Sequence, residues 1–280
     1  MIAGSDELHF TTDAVFRDER AARRLAAAVR DTGKAVWLVE IPTKSPFVEA
    51  MREAYQDRGW IKIRPYGSNP LLPIDNRWLE PERNLTSQTR HNVRRRRRIA
   101  EEMGKITFEA LAPTRSQLAP LWREAMDVEA AGWKGRAGTA LATNERQRSF
   151  FQHYAESVAE RGALRLLFLR IGGVAAAMQL AVVQGGELWL LKTGYNEDFK
   201  RAAPGALLFC ETARYAASQS LKALQCLGDI THWLNKDLLT YIDTVTIHAY
   251  PSTPAGWTVL AANAAAAMWH RMRRLTGGAA

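Results

Sequence analysis

Metal and disulfide chemistry find little to work with in this chain. Only two cysteines occur, Cys210 and Cys226. Both stand in apolar surroundings, too far apart in sequence to form a CxxC pair, so a disulfide framework is excluded and a reducing, cytoplasmic compartment is the expected home. The six histidines are scattered, with no HxxxH pair and no Cys/His cluster, and no metal is expected. Neither a Gly-x-Ser-x-Gly elbow nor a Walker loop is present, which removes the commonest hydrolase and nucleotide-hydrolysing signatures. The N-terminus lacks the positive flank and apolar run of a signal peptide. The longest weakly polar run, 255–270, is rich in alanine, contains Asn263 and falls short of the roughly 20 strongly apolar residues of a span. It reads as a docked helix closed by Arg271, Arg273 and Arg274, and no membrane span is expected.

What is present is the balance of an ordinary globular protein, with 47% hydrophobic and 24% charged residues in 280. The net charge of +9 is concentrated: without Arg90 and Arg94 to Arg98 it would be +3. These arginines fall on a helix expected over 86–103. Five consecutive residues advance about 100° each and cannot share one face. The apolar stripe Leu85, Val93, Ala100, Met103 passes through Arg96 or Arg97, so at least one guanidinium turns toward the protein body. There it needs an acid or a ligand phosphate. RNA is a less favoured partner, because no zinc ligands or RNA-binding signature accompany the run.

The pattern before that helix is helix (13–32), strand (35–42), helix (45–59), strand (60–66) and a short edge strand (71–75). It is too small for a core of its own and reads as a partial α/β half-domain over 1–84. The pattern after it is a strand at 105–111, helices at 114–131 and 144–161, and strands at 163–171, 173–184 and 187–195 joined by Gly-Gly pairs that signal hairpins. A helix (206–219), a strand (222–228), a short helix near 230–238, a strand (240–249) and the terminal helix complete it. Residues 85–280 are therefore expected to form one α/β domain: a mixed sheet flanked by helices.

The most telling stretch is ELWLLKTGYNEDFKRAAPGALLFCETARYAA, residues 187–217. It reads as a strand, a basic loop with Pro204 and Gly205, and a helix. Backbone N–H groups at a helix N-terminus lack partners within the helix and sit at the positive end of its dipole, where phosphate is welcome. The N–H groups of Ala203, Gly205, Ala206 and Leu207 are the expected cradle, with Lys200 and Arg201 adding charge. An ordinary Pro-Gly turn is the alternative.

Four segments together resemble a known family: SQTRHNVRRRRR before a glycine, EAAGWKGRAGTAL (129–141), KTGYNEDFKRAAPGALL (192–208) and LGDITHW (227–233). Their order resembles the GNAT N-acyltransferases over roughly 85–250. Within them it is more similar to the branch named for an acetyltransferase of bacterial cellulose biosynthesis, related to the Fem-type peptidyltransferases. Small GNAT enzymes carry Q/R-x-x-G-x-G/A, and this loop, KRAAPGA, keeps the later glycine and the small residue.

The resemblance implies acetyl-CoA or another acyl-CoA as co-substrate and an amine acceptor, on a cell-envelope or exopolysaccharide precursor. It implies a splayed strand at 187–195 that lends backbone hydrogen bonds to the pantetheine arm, with Leu190, Leu191, Lys192 and Thr193 nearest, and an N–H for the oxyanion. Transfer is direct and needs a proton acceptor, because a primary amine is mostly protonated at neutral pH. Asp229 or Glu129 is the expected base, with His232 behind them; Asp229 and Thr231 also read as N-caps. Trp133, Lys134, Arg136 and Tyr195 are expected on the acceptor side. Two further readings are tRNA-dependent aminoacyl transfer of the Fem type and a non-catalytic scaffold built on the same fold.

Overall fold

The computed structural model describes residues 2–3, 13–132, 144–227 and 234–276. In chain order its first elements are β1 (Ile2–Ala3), α1 (Glu19–Asp31), β2 (Val36–Pro42), α2 (Pro46–Tyr55), β3 (Gly59–Pro73), α3 (Pro81–Asn84) and α4 (Ser87–Met103). They are followed by β4 (Ile106–Leu111), α5 (Arg115–Ala130), α6 (Glu145–Glu160), β5 (Leu164–Ile171), β6 (Val174–Gln184) and β7 (Glu187–Tyr195). The last are α7 (Pro204–Ser218), β8 (Ala223–Gln225), β9 (Thr240–Pro251) and α8 (Pro254–Thr276).

The chain forms two compact units, residues 1–69 with 241–280, and residues 70–240. The expected boundary at 84/85 differs from this division. The N-terminal segment takes its missing strand and a helix from the far end of the chain: β9 pairs antiparallel with β2, from Val36↔Ala249 to Pro42↔Thr244.

In the first unit the strand order is β1–β2–β9–β3. Asp18 accepts from Ala21 N to cap α1, and Ser45 accepts from Phe47 N to cap α2 with Pro46 in the first turn. The two helices bury Ala22, Ala26, Phe47 and Met51 against Ile41, Val245 and Ile247 on one face of the strands. The two strands expected at 60–66 and 71–75 are one. Gly67–Pro70 stays extended because its carbonyls are used: Gly67 O accepts from Thr244 Oγ1 at 3.1 Å and Pro70 O from Cys226 N at 3.2 Å. The terminal helix is less docked than expected. Asn263 Nδ2 donates to Tyr250 Oη at 2.8 Å, while Trp257 and Met268 are exposed.

In the second unit the order is β3–β8–β7–β6–β5–β4, with β7 and β8 parallel and the other neighbours antiparallel. This is the expected mixed sheet flanked by helices. The hairpin glycines 172, 173, 185 and 186 all have positive φ, the backbone that tight two-residue hairpins require. Both faces are covered, so β5 and β6 read as largely apolar runs, interrupted by Arg165, Arg170 and Gln179. Leu167, Leu169 and Ile171 join a core with Leu207, Phe209 and Ala213 of α7 and Val93 and Ala100 of α4. The alternate residues Leu166 and Phe168 are equally buried and point to the opposite face, against which α5 and α6 pack.

Gly104 ends α4 with φ 151°, and a Cβ there would lie 2.7 Å from Gly172 N and Cα. Gly104→Ala is therefore expected to cost about 2–3 kcal/mol, combining the strained φ with overpacking against backbone. The check is the urea midpoint of the variant against wild type.

Candidate donor site

Two irregularities in the sheet set the site. The first is a bulge in β7: Leu180 pairs with Lys192 and Ala181 with Leu190, which leaves Leu191 as the extra residue. The second is where β8 stops. The β7–β8 ladder covers Glu187–Trp189 against Ala223–Gln225, while β7 continues along β6 to Tyr195. Cys226 N donates to Pro70 O of β3, so after leaving β7 the chain still follows β3. Among the described residues the pairing of β7 with β8 ends at Trp189, one residue before the segment expected to lie beside a pantetheine arm. Trp189 Nε1 is buried there with no hydrogen-bond partner among the described residues. Sequence reasoning missed this indole, whose signal was a single Trp inside an aliphatic strand.

Beyond β7, Asn196 Oδ1 accepts from Asp198 N at 2.9 Å and starts a 3-10 turn over Glu197–Ala202. Ala203 adopts φ 47° and ψ 56°, and Pro204 opens α7. The expected cradle of four amides needs correction. Ala203 N donates to Lys200 O at 3.1 Å, and Ala206 N and Leu207 N both donate to Ala203 O, at 3.1 and 3.4 Å. Ala203 in the left-handed region aims its carbonyl back into the first turn, which occupies those donors. Among the described residues Gly205 N–H alone of the four has no acceptor, and a Cβ on Gly205 would meet nothing within 4 Å. The Ala206 and Leu207 donors reach an anion only as shared, three-centre bonds, which are common at helix ends. Lys200 and Arg201 are exposed and form no ion pair among the described residues.

The loop is held from behind by the arginine helix. Arg96 Nη1 donates to Arg201 O at 2.5 Å. Arg97 is the guanidinium that turns inward, as the stripe required of Arg96 or Arg97: its Nη2 donates to Glu211 Oε1 of α7 at 2.7 Å. Arg94 pairs with Glu82 at 2.9 Å, and Arg90 donates to Glu82 O and Leu85 O. Burial alone would lower the pKa of Arg97, but the hydrogen bond and charge of Glu211 outweigh it and raise the value. Leu85, Val93 and Ala100 of the stripe are buried, whereas Met103, at the C-terminal end beside Gly104, is exposed. Arg95 and Arg98 are exposed and form no ion pair among the described residues.

On the other side of β7, the end of α5 closes against the strand. Glu129 is 1% exposed. A Cβ on Gly194 would lie 2.9 Å from Glu129 Cα, and one on Gly132 would lie 2.9 Å from Tyr195 O. Lys192 Nζ sits 4.8 Å from the Phe151 ring centroid, and Tyr195 Oη is 3.4 Å from Glu197 Oε1. The structure thus brings Glu129, Leu191, Lys192, Thr193 and Tyr195 to the same half of β7. Trp133, Lys134, Arg136, Asp229 and His232 lie outside the described residues. Among the described residues no group of His, Cys, Asp and Glu is arranged to hold a metal, and no described helix is long and apolar enough to cross a membrane.

Neither cysteine belongs to this chemistry. Burial pushes the thiols of Cys210 and Cys226 up to about 12. The folded state keeps these protons where an unfolded thiol, with a pKa of about 8.5, loses them. Their contribution to stability is complete below about pH 8.5 and is lost as pH rises toward 12. Accordingly, a thiol reagent at pH 8 should label neither cysteine in the folded protein and both in urea; rapid labelling without denaturant would refute this.

Comparison with known proteins agrees with the sheet and loop. Residues 87–233 match the family model described as the acetyltransferase (GNAT) domain. The match spans just over half of the chain, and the chain belongs to this family. No curated protein matches it significantly in sequence. Among solved structures it is similar to a conserved protein of unknown function from Bacteroides thetaiotaomicron, with TM-score 0.55 and 12% identity over 82% of this chain and 75% of that one. FemX gives TM-score 0.53 and 11% identity over 84% and 77%. The C-terminal domain of a protein described as a lysylphosphatidylglycerol synthetase, from Agrobacterium fabrum, gives 0.52 and 13% over 88% and 76%. At these identities the likeness is one of fold.

Proposed function

We propose that the chain transfers an acyl group, most simply acetyl, from acyl-CoA to an amine on a cell-envelope or exopolysaccharide precursor in the cytoplasm. The observation that carries this reading is the parting of β7 from β8 after Trp189, with the bulge at Leu191 leading straight toward the loop that ends in Gly205. A pantetheine arm laid along Leu190–Thr193 takes the edge of β7 beyond its pairing with β8. Its diphosphate then reaches Gly205 N–H, with Lys200 and Arg201 supplying Coulomb attraction.

The acceptor nitrogen attacks the thioester carbonyl from the α5 side. The C–N bond forms, the C–S bond breaks, and coenzyme A leaves as the thiolate that takes up a proton. A backbone N–H of the bulged strand supports the oxyanion. Glu129, at the end of α5 beside Gly194, takes the ammonium proton; Asp229 and His232 are the alternatives. Trp133, Lys134, Arg136 and Tyr195 form the acceptor side. The test is release of free coenzyme A thiol from acetyl-CoA across a panel of amines, including amino sugars. Amine-dependent release supports the reading, and its absence across the panel, with binding retained, favours the scaffold reading.

A second reading, aminoacyl transfer from a charged tRNA, is favoured by the exposed Arg95 and Arg98 on a helix of a fold similar to FemX. It requires salt-sensitive RNA binding that disappears when Arg94 to Arg98 are replaced by serine.

A further inference from the structure

The strand face of the first unit that points away from α1 and α2 carries aromatic and basic side chains unused by the transfer chemistry. Ile61 and Ile63 of β3 pack into the core with those helices. Alternation therefore sets Trp60, Lys62, Arg64 and Tyr66 on the opposite face. The neighbouring strands continue it. Trp37 of β2 stands across from His248 of β9, with ring centroids 4.5 Å apart at 51°. Trp60 and Tyr250 are 5.5 Å apart at 48°. The terminal helix meets this face at Tyr250, which is 4% exposed and whose Oη accepts from Asn263 of α8, while Trp37 stays 42%, Trp60 39% and Tyr66 49% exposed.

Along β3 the charge on this face is of one sign. Lys62 Nζ lies 5.8 Å from the Trp60 ring centroid. Neither Lys62 nor Arg64 forms an ion pair among the described residues, and residues 60–70 contain no acid. Burial, then Arg64 and Lys62, lowers the pKa of His248, so the imidazole is neutral at pH 7 and the two cations set the charge.

We infer that this face binds an acidic polysaccharide, with uronic acid rings stacked on Trp60 and Tyr66 and carboxylates paired with Lys62 and Arg64. The order along β3 is aromatic, cation, cation, aromatic, over about 20 Å at 3.3 Å per residue. A uronic acid chain offers rings and carboxylates along one line, as this row does. Single-stranded RNA holds its bases to one side of its phosphates and calls for a groove of cations running beside the aromatic row. The inference stands without the transfer reading, since it uses none of the same residues.

The experiment is calorimetric titration of the full chain with hexagalacturonate at low salt, with cellohexaose, a short oligouridylate and phosphatidylglycerol vesicles as the other arms. Expected are saturable hexagalacturonate binding that weakens as salt is raised, and markedly weaker binding of cellohexaose. Trp60→Ala and the double variant Lys62→Ala with Arg64→Ala should each weaken binding at least about fivefold, the lower range for a lost charged or stacking contact. Three results would overturn the inference: no heat with millimolar hexagalacturonate, variants that bind as tightly as wild type, or tighter binding of oligouridylate or vesicles than of hexagalacturonate.

Discussion

Glu211→Ala lowers the free energy of unfolding by about 3 kcal/mol, an effect expected from stranding buried positive charge. The Glu211 side chain is 10% exposed and that of Arg97 28%. One carboxylate oxygen accepts from Arg97 and the other from Arg214. Without it, two guanidinium groups face each other, and the nearest remaining acid to Arg97 among the described residues is Glu82 at 3.9 Å. Breaking one side of a buried pair costs about 3–5 kcal/mol, and the partial exposure of Arg97 places this pair at the low end. Because Arg97 ties α4 to α7, and Arg96 of the same helix holds Arg201 O, acetyl-CoA binding should weaken as well. The double variant Arg97→Met with Glu211→Leu should recover most of the stability, since it leaves neither member of the pair stranded. Urea denaturation of the three variants is the check. A single variant within about 0.5 kcal/mol of wild type, the range of ordinary surface changes, would contradict the ion-pair account.

Gly194→Val should be as damaging, for a steric reason. Its Cβ would stand 2.9, 3.2 and 3.3 Å from Glu129 Cα, Cβ and Cγ, closer than the 3.5–4.0 Å at which carbon atoms prefer to meet. The obstructing atoms belong to a buried helix end and not to a flexible tip, so α5 must move off β7. Expected are a loss of about 2–3 kcal/mol and, because a displacement near 1 Å can cost about 100-fold in rate, turnover at least tenfold lower if Glu129 is the base. Gly205→Ala is the control for stability alone, as its Cβ meets open space in the unliganded protein. Urea midpoints and thiol-release rates read both, and a Gly194→Val protein with wild-type stability would show that the approach of α5 to β7 is not a constraint.

Much of this was legible in the sequence because it depends on local chemistry. Ser45-Pro46 announced α2, the Gly-Gly pairs announced the hairpins, and the passage of the apolar stripe through Arg96 or Arg97 required an inward guanidinium. Three features were not legible because they depend on distant partners. The continuity of β3 through Gly67–Pro70 arises from carbonyls used by Thr244 and Cys226. The return of β9 to β2 is a pairing across some 200 residues, which periodicity cannot announce. The donor cradle was overestimated because a loop read as text does not reveal that Ala203, in the left-handed region, turns its carbonyl onto the amides of Ala206 and Leu207. The candidate base was half legible: Glu129 could be named, but its burial against Gly194 needed the packing of α5 on β7.

The central claim is that the start of α7 receives the diphosphate of a thioester carrier, with Gly205 N–H as its open donor. Calorimetric titration of acetyl-CoA into wild type and Gly205→Glu tests it most directly. An acid in the first turn suits the helix dipole and finds free space at this position, so the variant should keep the wild-type melting temperature. The account predicts saturable binding by the wild type and at least about tenfold weaker binding by the variant, as like charges meet at short range. Equal affinity in the two proteins, or no heat from either at millimolar acetyl-CoA, would contradict it.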